Sequence, residues 1–85
     1  MNLQVLYFAA LRERVGRASE RVDVPAGVAT VGELRAWLVA RGEPWASAFA
    51  GTLRLRAAVD QAMARDDTAL AEGAEVAFFP PVTGG

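Results

Sequence analysis

The four residues Thr30-Val31-Gly32-Glu33 constrain the fold of this chain more than any other segment. A threonine hydroxyl at a helix N-terminus accepts the amide three residues on, while the glutamate carboxylate returns to the threonine amide, so the pair forms a capping box and a helix begins here. Val31, Leu34 and Leu38 then recur at i, i+3 and i+7, Arg35 and Arg41 fall elsewhere, and Gly42 is a stop. An amphipathic helix of this length needs an apolar layer to lie on.

The flanking sequence supplies that layer as strands. Asn2 to Phe8 is rich in strand formers, with Leu3, Val5 and Tyr7 on one face and Gln4, Leu6 and Phe8 on the other, so its second face is not fully polar. Ala9 to Val15 sets Leu11 and Val15 at helical spacing and stops at Gly16, a short helix or turn. Glu20 to Val24 reads as a second strand, ended by Pro25-Ala26-Gly27. Pro44 opens a segment in which Trp45, Ala48 and Phe49 repeat at helical spacing, a second and shorter helix. From Leu53 the period becomes two, with Leu53, Leu55, Ala57 and Val59 opposite Arg54, Arg56 and Ala58, and a turn at Asp60-Gln61 returns through Ala62-Met63-Ala64 as a hairpin. Glu75 to Phe79 is the last strand, with Val76 and Phe78 facing one way and Glu75, Ala77 and Phe79 the other.

This order gives an α+β domain over residues 1–79, a mixed sheet of four to five strands packed on one main helix, followed by a tail over residues 80–85. If the last strand lies beside the first, the crossing helix makes a right-handed connection and the layout is a β-grasp, or ubiquitin-like, fold. A ferredoxin-like arrangement is the competitor; it calls for two comparable crossover helices, and only one capped helix here is long enough.

Composition removes most chemistry from a chain of 85 residues. It contains no His and no Cys, and all nine of its basic residues are Arg. A Cys/His zinc site, a thiolate nucleophile, a Ser-His-Asp triad and a lysine Schiff base are therefore excluded. With 53% hydrophobic residues, 22% charged residues and a net charge of −1, it reads as a globule rather than a basic nucleic-acid binder. Arg12, Arg14, Arg17 and Arg21 are interspersed with Glu13, Glu20 and Asp23 and read as solvated surface. Asp66-Asp67 reads as a turn and no metal site is expected, because no further oxygen ligands follow at a recognisable spacing. Trp37, Trp45 and Phe49 read as packing residues. No secretory or membrane-spanning run opens the chain, and a cytoplasmic location is expected.

The C-terminus is where chemistry remains. In Phe79-Pro80-Pro81-Val82-Thr83-Gly84-Gly85 two prolines hold the chain extended and two glycines leave its end slender. Six residues from Pro80 reach on the order of 20 Å. A pair of terminal glycines is by itself also what a frayed end looks like. On a β-grasp body, the same tail can deliver a carboxylate through a channel too narrow for side chains. Because a carboxylate is a poor electrophile, an ATP-using partner must first convert it to an acyl adenylate, which a sulfur or amine nucleophile then attacks.

The segment Gly73 to Gly85, above all Glu75 to Gly85, resembles the C-terminal signature of the small subunit of molybdopterin synthase, the MoaD family. Val5 to Glu13 and the hairpin Ala57-Ala58-Val59-Asp60-Gln61 resemble the same family, so the likeness spans essentially the whole chain. The family usually has Asn in place of Asp60 and an acidic residue in place of Ala74, both taken as turn positions. The resemblance implies a sulfur carrier, not an enzyme on its own, whose Gly85, preceded by Gly84, is adenylated by an E1-like enzyme and converted to a thiocarboxylate. That thiocarboxylate would donate sulfur to cyclic pyranopterin monophosphate within a complex with the large synthase subunit, a heterotetramer. It implies no permanently bound cofactor, ATP being used by the activating enzyme. Carriers for thiamine synthesis and tRNA thiolation, and protein modifiers that form isopeptides, share the fold and the Gly-Gly end and are the alternative.

A docking face accompanies the tail. Phe8 and Phe79 lie on strand faces opposite the expected core, and Arg54 and Arg56 project from the corresponding face of the hairpin, the composition of a protein-binding surface. The other reading is that loops of the same chain cover these aromatics. With the resemblance, Phe8, Met63, Phe79, Arg54 and Arg56 are expected to bind the partner together with Pro80, Pro81, Val82 and Thr83, with no nucleic acid or membrane involved.

Overall fold

The computed structural model describes residues 1–52 and 54–81. Leu3, Val5 and Tyr7 of β1 (Asn2–Tyr7) turn inward, as their period of two requires, and β2 (Ser19–Asp23) returns antiparallel with Val22 opposite Leu3. The short helix α1 (Ala9–Val15) joins them, buries Leu11 and Val15, and ends at Gly16, whose φ of 87° turns its amide onto the Arg12 carbonyl. The main helix is α2 (Val31–Ala40), followed by α3 (Trp45–Ala50), β3 (Arg56–Val59), β4 (Ala62–Ala64) and β5 (Glu75–Phe79).

The five strands form one mixed sheet in the order β2-β1-β5-β3-β4. The last strand runs parallel to the first, Val5 opposite Val76 and Tyr7 opposite Phe78, and antiparallel to β3. This is the β-grasp topology. Val31, Leu34 and Leu38 of α2 join Leu3, Val5, Val76 and Phe78 in one core. The helical layer is broader than α2 alone: α1 adds Leu11 and Val15, and α3 adds Ala48 and Phe49. Phe49 meets Phe78 edge-on at 5.4 Å and Tyr7 at 6.5 Å between ring centroids, an arrangement that aligns positive ring edges with negative faces.

The capping box forms as the sequence predicts. The Glu33 amide donates to the Thr30 hydroxyl at 3.3 Å, and the Glu33 carboxylate accepts from the Thr30 amide at 3.1 Å and the Ala29 amide at 2.9 Å. These donors hold the Glu33 carboxyl below its ordinary range, the Ala29 amide most of all. The first amides of the helix are also taken, Val31 by the Thr68 carbonyl and Gly32 by that of Asp66. A Cβ on Gly32 would stand 3.2 Å from that carbonyl oxygen, so glycine is what lets the loop after β4 approach the helix start so closely.

Three details differ from the sequence reading. The strand expected from Leu53 begins at Arg56, because Arg54 takes a φ of 56°, outside any strand conformation; Leu53 lies outside the described residues. Pro44 is the N-cap of α3 rather than its first residue. Ala74 is not an open turn position: it is 5% exposed, belongs to the core, and its carbonyl accepts the Gln4 amide. Asp60, by contrast, is a true turn residue. It and Gln61 both take positive φ, 49° and 71°, the geometry of a two-residue hairpin turn, and its carboxylate accepts the Glu75 amide at 3.0 Å.

The relative weight of cap and core is measurable. Thr30→Ala is expected to lower the unfolding free energy by about 1 kcal/mol. Leu34→Ala, at a fully buried position, is expected to cost roughly 2–5 kcal/mol. Urea unfolding of both variants beside the wild type checks the order; equal losses would contradict a core-dominated helix.

Candidate functional site

The sheet has a second face that none of the described helices covers, and its register can be read across all five strands. Met63 stands opposite Ala58, Ala58 opposite Ala77, Ala77 opposite Leu6, and Leu6 opposite Ser19. Four of these five are apolar. In the neighbouring row Arg56 stands opposite Phe79, and Phe8 follows β1 on the far side, its amide donating to the Phe78 carbonyl at 3.2 Å. Phe8 at 46% and Met63 at 62% are the two exposed large hydrophobic side chains among the described residues. Phe79, Pro80 and Pro81 are half-buried.

The geometry separates the candidates. Phe8, Met63, Phe79 and Arg56 share the uncovered face, and its exposure at Phe8 means that no described loop shields that ring. Arg54 is not on that face as a strand residue; its left-handed backbone places it before β3, where it lines an open groove with Arg56 and Met63. Pro80 and Pro81 carry the chain off β5 directly beside this patch. Val82, Thr83, Gly84 and Gly85 lie outside the described residues. The sequence reading placed Leu6, Ala58 and Ala77 on these outward strand faces but did not name them as site residues. Period two offered the signal, since Leu6 precedes Phe8 by two residues and Ala77 precedes Phe79 by two.

What holds Phe8 outward is on the other side of the sheet. Tyr7 points inward, and its hydroxyl donates to the Glu20 carboxylate at 2.7 Å. The same carboxylate accepts from Trp45 Nε1 at 3.0 Å, Arg41 at 3.1 Å and Arg17 at 3.5 Å, and its side chain is only 7% exposed. Arg41 lies 3.8 Å from the centre of the Trp45 ring and 5.2 Å from that of Trp37, stacked where a cation gains from the aromatic faces. Trp37 and Trp45 therefore pack both against the edge of the core and around a guanidinium, and Phe49 packs within the core. With Tyr7 anchored, the next residue must face away from the core, and Ala9 takes a φ of 53° to turn the chain into α1. Glu20 was legible in part, since it shares the inward face of β2 with Val22, which strand alternation gives.

Burial, the hydrogen bond to Glu20 and the Glu20 charge all push the Tyr7 phenol far above its ordinary range. For Glu20, burial acts to raise the carboxyl pKa, but the bonds from Tyr7, Arg41 and Trp45 and the Arg41 charge outweigh it and the net shift is downward. Among the described residues no three metal-ligating side chains converge, and no helix is long and apolar enough to cross a membrane.

Comparison with known proteins accords with this arrangement. A sequence profile of the ThiS family matches residues 5–85. The chain is 45% identical over 83 residues to a molybdopterin synthase sulfur carrier subunit of Escherichia coli (strain K12), covering 98% of this chain and 99% of that protein. It is 37% identical over the same length and coverage to the protein of that name from Haemophilus influenzae. Among solved structures it is similar to SAMP1, the small archaeal modifier protein 1, from Haloferax volcanii, at 33% identity and a TM-score of 0.77 over the whole of both chains.

The Glu20 cluster makes a signed prediction. A carboxyl whose folded pKa is depressed contributes stability above its unfolded value and loses it as pH falls through the folded one. Glu20→Gln is therefore expected to be less stable than wild type at pH 7 by about 1–3 kcal/mol, with the gap narrowing as pH falls through and below the ordinary carboxylate range. Urea midpoints across that range test it; a gap independent of pH would show that the Glu20 charge is not what the cluster depends on.

Proposed function

Because the chain belongs to the ThiS family and, within it, groups with the sulfur carrier subunits of molybdopterin synthase, we propose that it carries sulfur on its C-terminus for molybdenum cofactor synthesis. The observation that carries this reading is the continuity of the uncovered apolar row with the start of the tail: Phe79, opposite Arg56, leads straight into Pro80. A partner seated on that face has the tail delivered to it.

The chemistry is the one that the family likeness implies, and it suits a chain without His, Cys or Lys. An E1-like enzyme joins the Gly85 carboxylate to AMP at the expense of ATP, releasing pyrophosphate. Sulfide, HS⁻, then adds to the acyl carbon, and AMP leaves with one original carboxylate oxygen, so that a thiocarboxylate remains. The terminal thiocarboxylate donates its sulfur to cyclic pyranopterin monophosphate inside the large synthase subunit, which supplies the acid and base groups that a chain without His, Cys or Lys does not. Gly84 and Gly85 keep the tail free of side chains, Pro80 and Pro81 hold it extended, and Val82 and Thr83 engage the walls of the channel. Phe8, Met63 and Phe79 are the apolar anchors of the same interface.

A second reading is favoured by the similarity to a small archaeal modifier protein. The activated C-terminus would then form isopeptides with target lysines, or serve another thiolation pathway. The chain's own lack of lysine means that it offers no lysine for self-conjugation.

Mass spectrometry after incubation with ATP, an activating enzyme and a sulfur source is expected to show sulfur in place of one terminal oxygen; an unchanged mass, under conditions that convert a related carrier, would falsify the carrier reading. Deleting Gly85 is expected to abolish sulfur transfer while leaving the melting curve unchanged. Phe8→Asp with Phe79→Asp is expected to weaken binding to the large subunit by roughly 2–4 kcal/mol, measured by calorimetry; unchanged affinity would rule out this face.

A further inference from the structure

A groove of about 420 Å³ opens at the β4 end of the sheet, and four of its nine lining residues are arginines. Arg35 comes from α2, Arg54 and Arg56 from the entry to β3, and Arg65 from the exit of β4, with Leu55, Ala57, Met63 and Ala64 the apolar part of the wall. Asp66 is the single carboxylate in the lining, and Arg35 engages it through both terminal nitrogens, one of them at 3.4 Å. Arg65 meets Asp67 at 3.8 Å across two exposed side chains, a contact of little strength. Among the described residues no carboxylate lies within ion-pair distance of Arg54 or Arg56. The Arg35 Nε is buried with no acceptor among them.

A chain of net charge −1 thus gathers four guanidiniums around one opening, and with Arg35 paired to Asp66 the excess positive charge rests on Arg54, Arg56 and Arg65. Their fields add, and the groove attracts anions that the rest of the surface repels. Its position indicates which anion. Met63 belongs both to this wall and to the uncovered apolar row, and Arg56 stands opposite Phe79 where the tail begins. A protein that covers the row and receives the tail comes against these guanidiniums. Planar guanidinium forks match carboxylates in two-point contacts, and the exposed Met63 in the same wall suits an apolar side chain of the same segment.

We propose that this groove seats an acidic segment of the large synthase subunit, its carboxylates on Arg54, Arg56 and Arg65, and that the charge match accelerates docking of the carrier. This rests on the functional reading above. Arg54→Gln with Arg56→Gln, both exposed positions, is compared with wild type and with Arg14→Gln, an exposed arginine of α1 outside the groove. Association of each full chain with the isolated large subunit is followed by surface plasmon resonance at about 50 mM and about 500 mM NaCl. The double variant is expected to associate about tenfold more slowly at low salt, with the gap closing at high salt, while Arg14→Gln keeps the wild-type rate. Equal rates for the double variant and wild type at low salt, with matching melting curves, overturn the groove and leave the carrier reading standing. Competition by inorganic pyrophosphate well beyond that of NaCl at equal ionic strength makes this a phosphate site and also overturns the proposal. Failure of the wild type to bind the large subunit removes the functional reading, and the groove's occupant with it.

Discussion

The parallel pairing of β1 with β5 joins the two ends of the chain at the centre of the sheet, and the placement of the uncovered face follows from it. Residues that enter the sheet first and leave it last become neighbours: Tyr7 opposite Phe78 on the buried side, Leu6 opposite Ala77 on the uncovered side. A parallel pair cannot be closed by a tight turn, so everything between the strands serves as crossover. Here that crossover contains α2, whose Val31, Leu34 and Leu38 fill the space over the pair. Removing the parallel contact would separate Phe8 from the root of the tail.

A buried charge reinforces this arrangement. Glu20 sits at the sheet edge with its side chain nearly out of solvent, a costly position for a carboxylate, and four donors from Tyr7, Trp45, Arg41 and Arg17 offset that cost. These donors come from β1, from α3, from the end of α2 and from the loop before β2, so one carboxylate ties four segments together. Such a centre fixes orientation through directional bonds, where apolar packing alone tolerates small slips. Tyr7 is the member that matters for the site, because its inward anchoring turns Phe8 the other way.

Much of the fold was legible in the sequence, and the reasons are local. The capping box announced α2 because both of its bonds are made within four residues. Glycine at position 16 ended α1 because a left-handed residue costs it nothing. Strand alternation assigned Leu3, Val5 and Tyr7 to the core. The start of β3 escaped because nothing in Arg54 forbids a strand; its positive φ is imposed by the path of the chain. Ala74 looked like a turn residue because its neighbours are turn formers, yet its side chain is under the sheet.

For the site, the sequence by itself determined the ingredients: a slender tail ending in two glycines, no His, Cys or Lys, and aromatic residues at the outward positions of the first and last strands. These are matters of covalent chemistry and of a period of two, which need no knowledge of neighbours. The tertiary structure alone decided which of those residues meet. Only the strand order β2-β1-β5-β3-β4 sets Met63, Ala58, Ala77 and Leu6 in one row and Arg56 against Phe79, and only the packing of α2 against the loop after β4 brings Arg35 to the same groove as Arg54 and Arg65. Pairing between distant segments is selected by the burial of the whole core, and no local pattern encodes it.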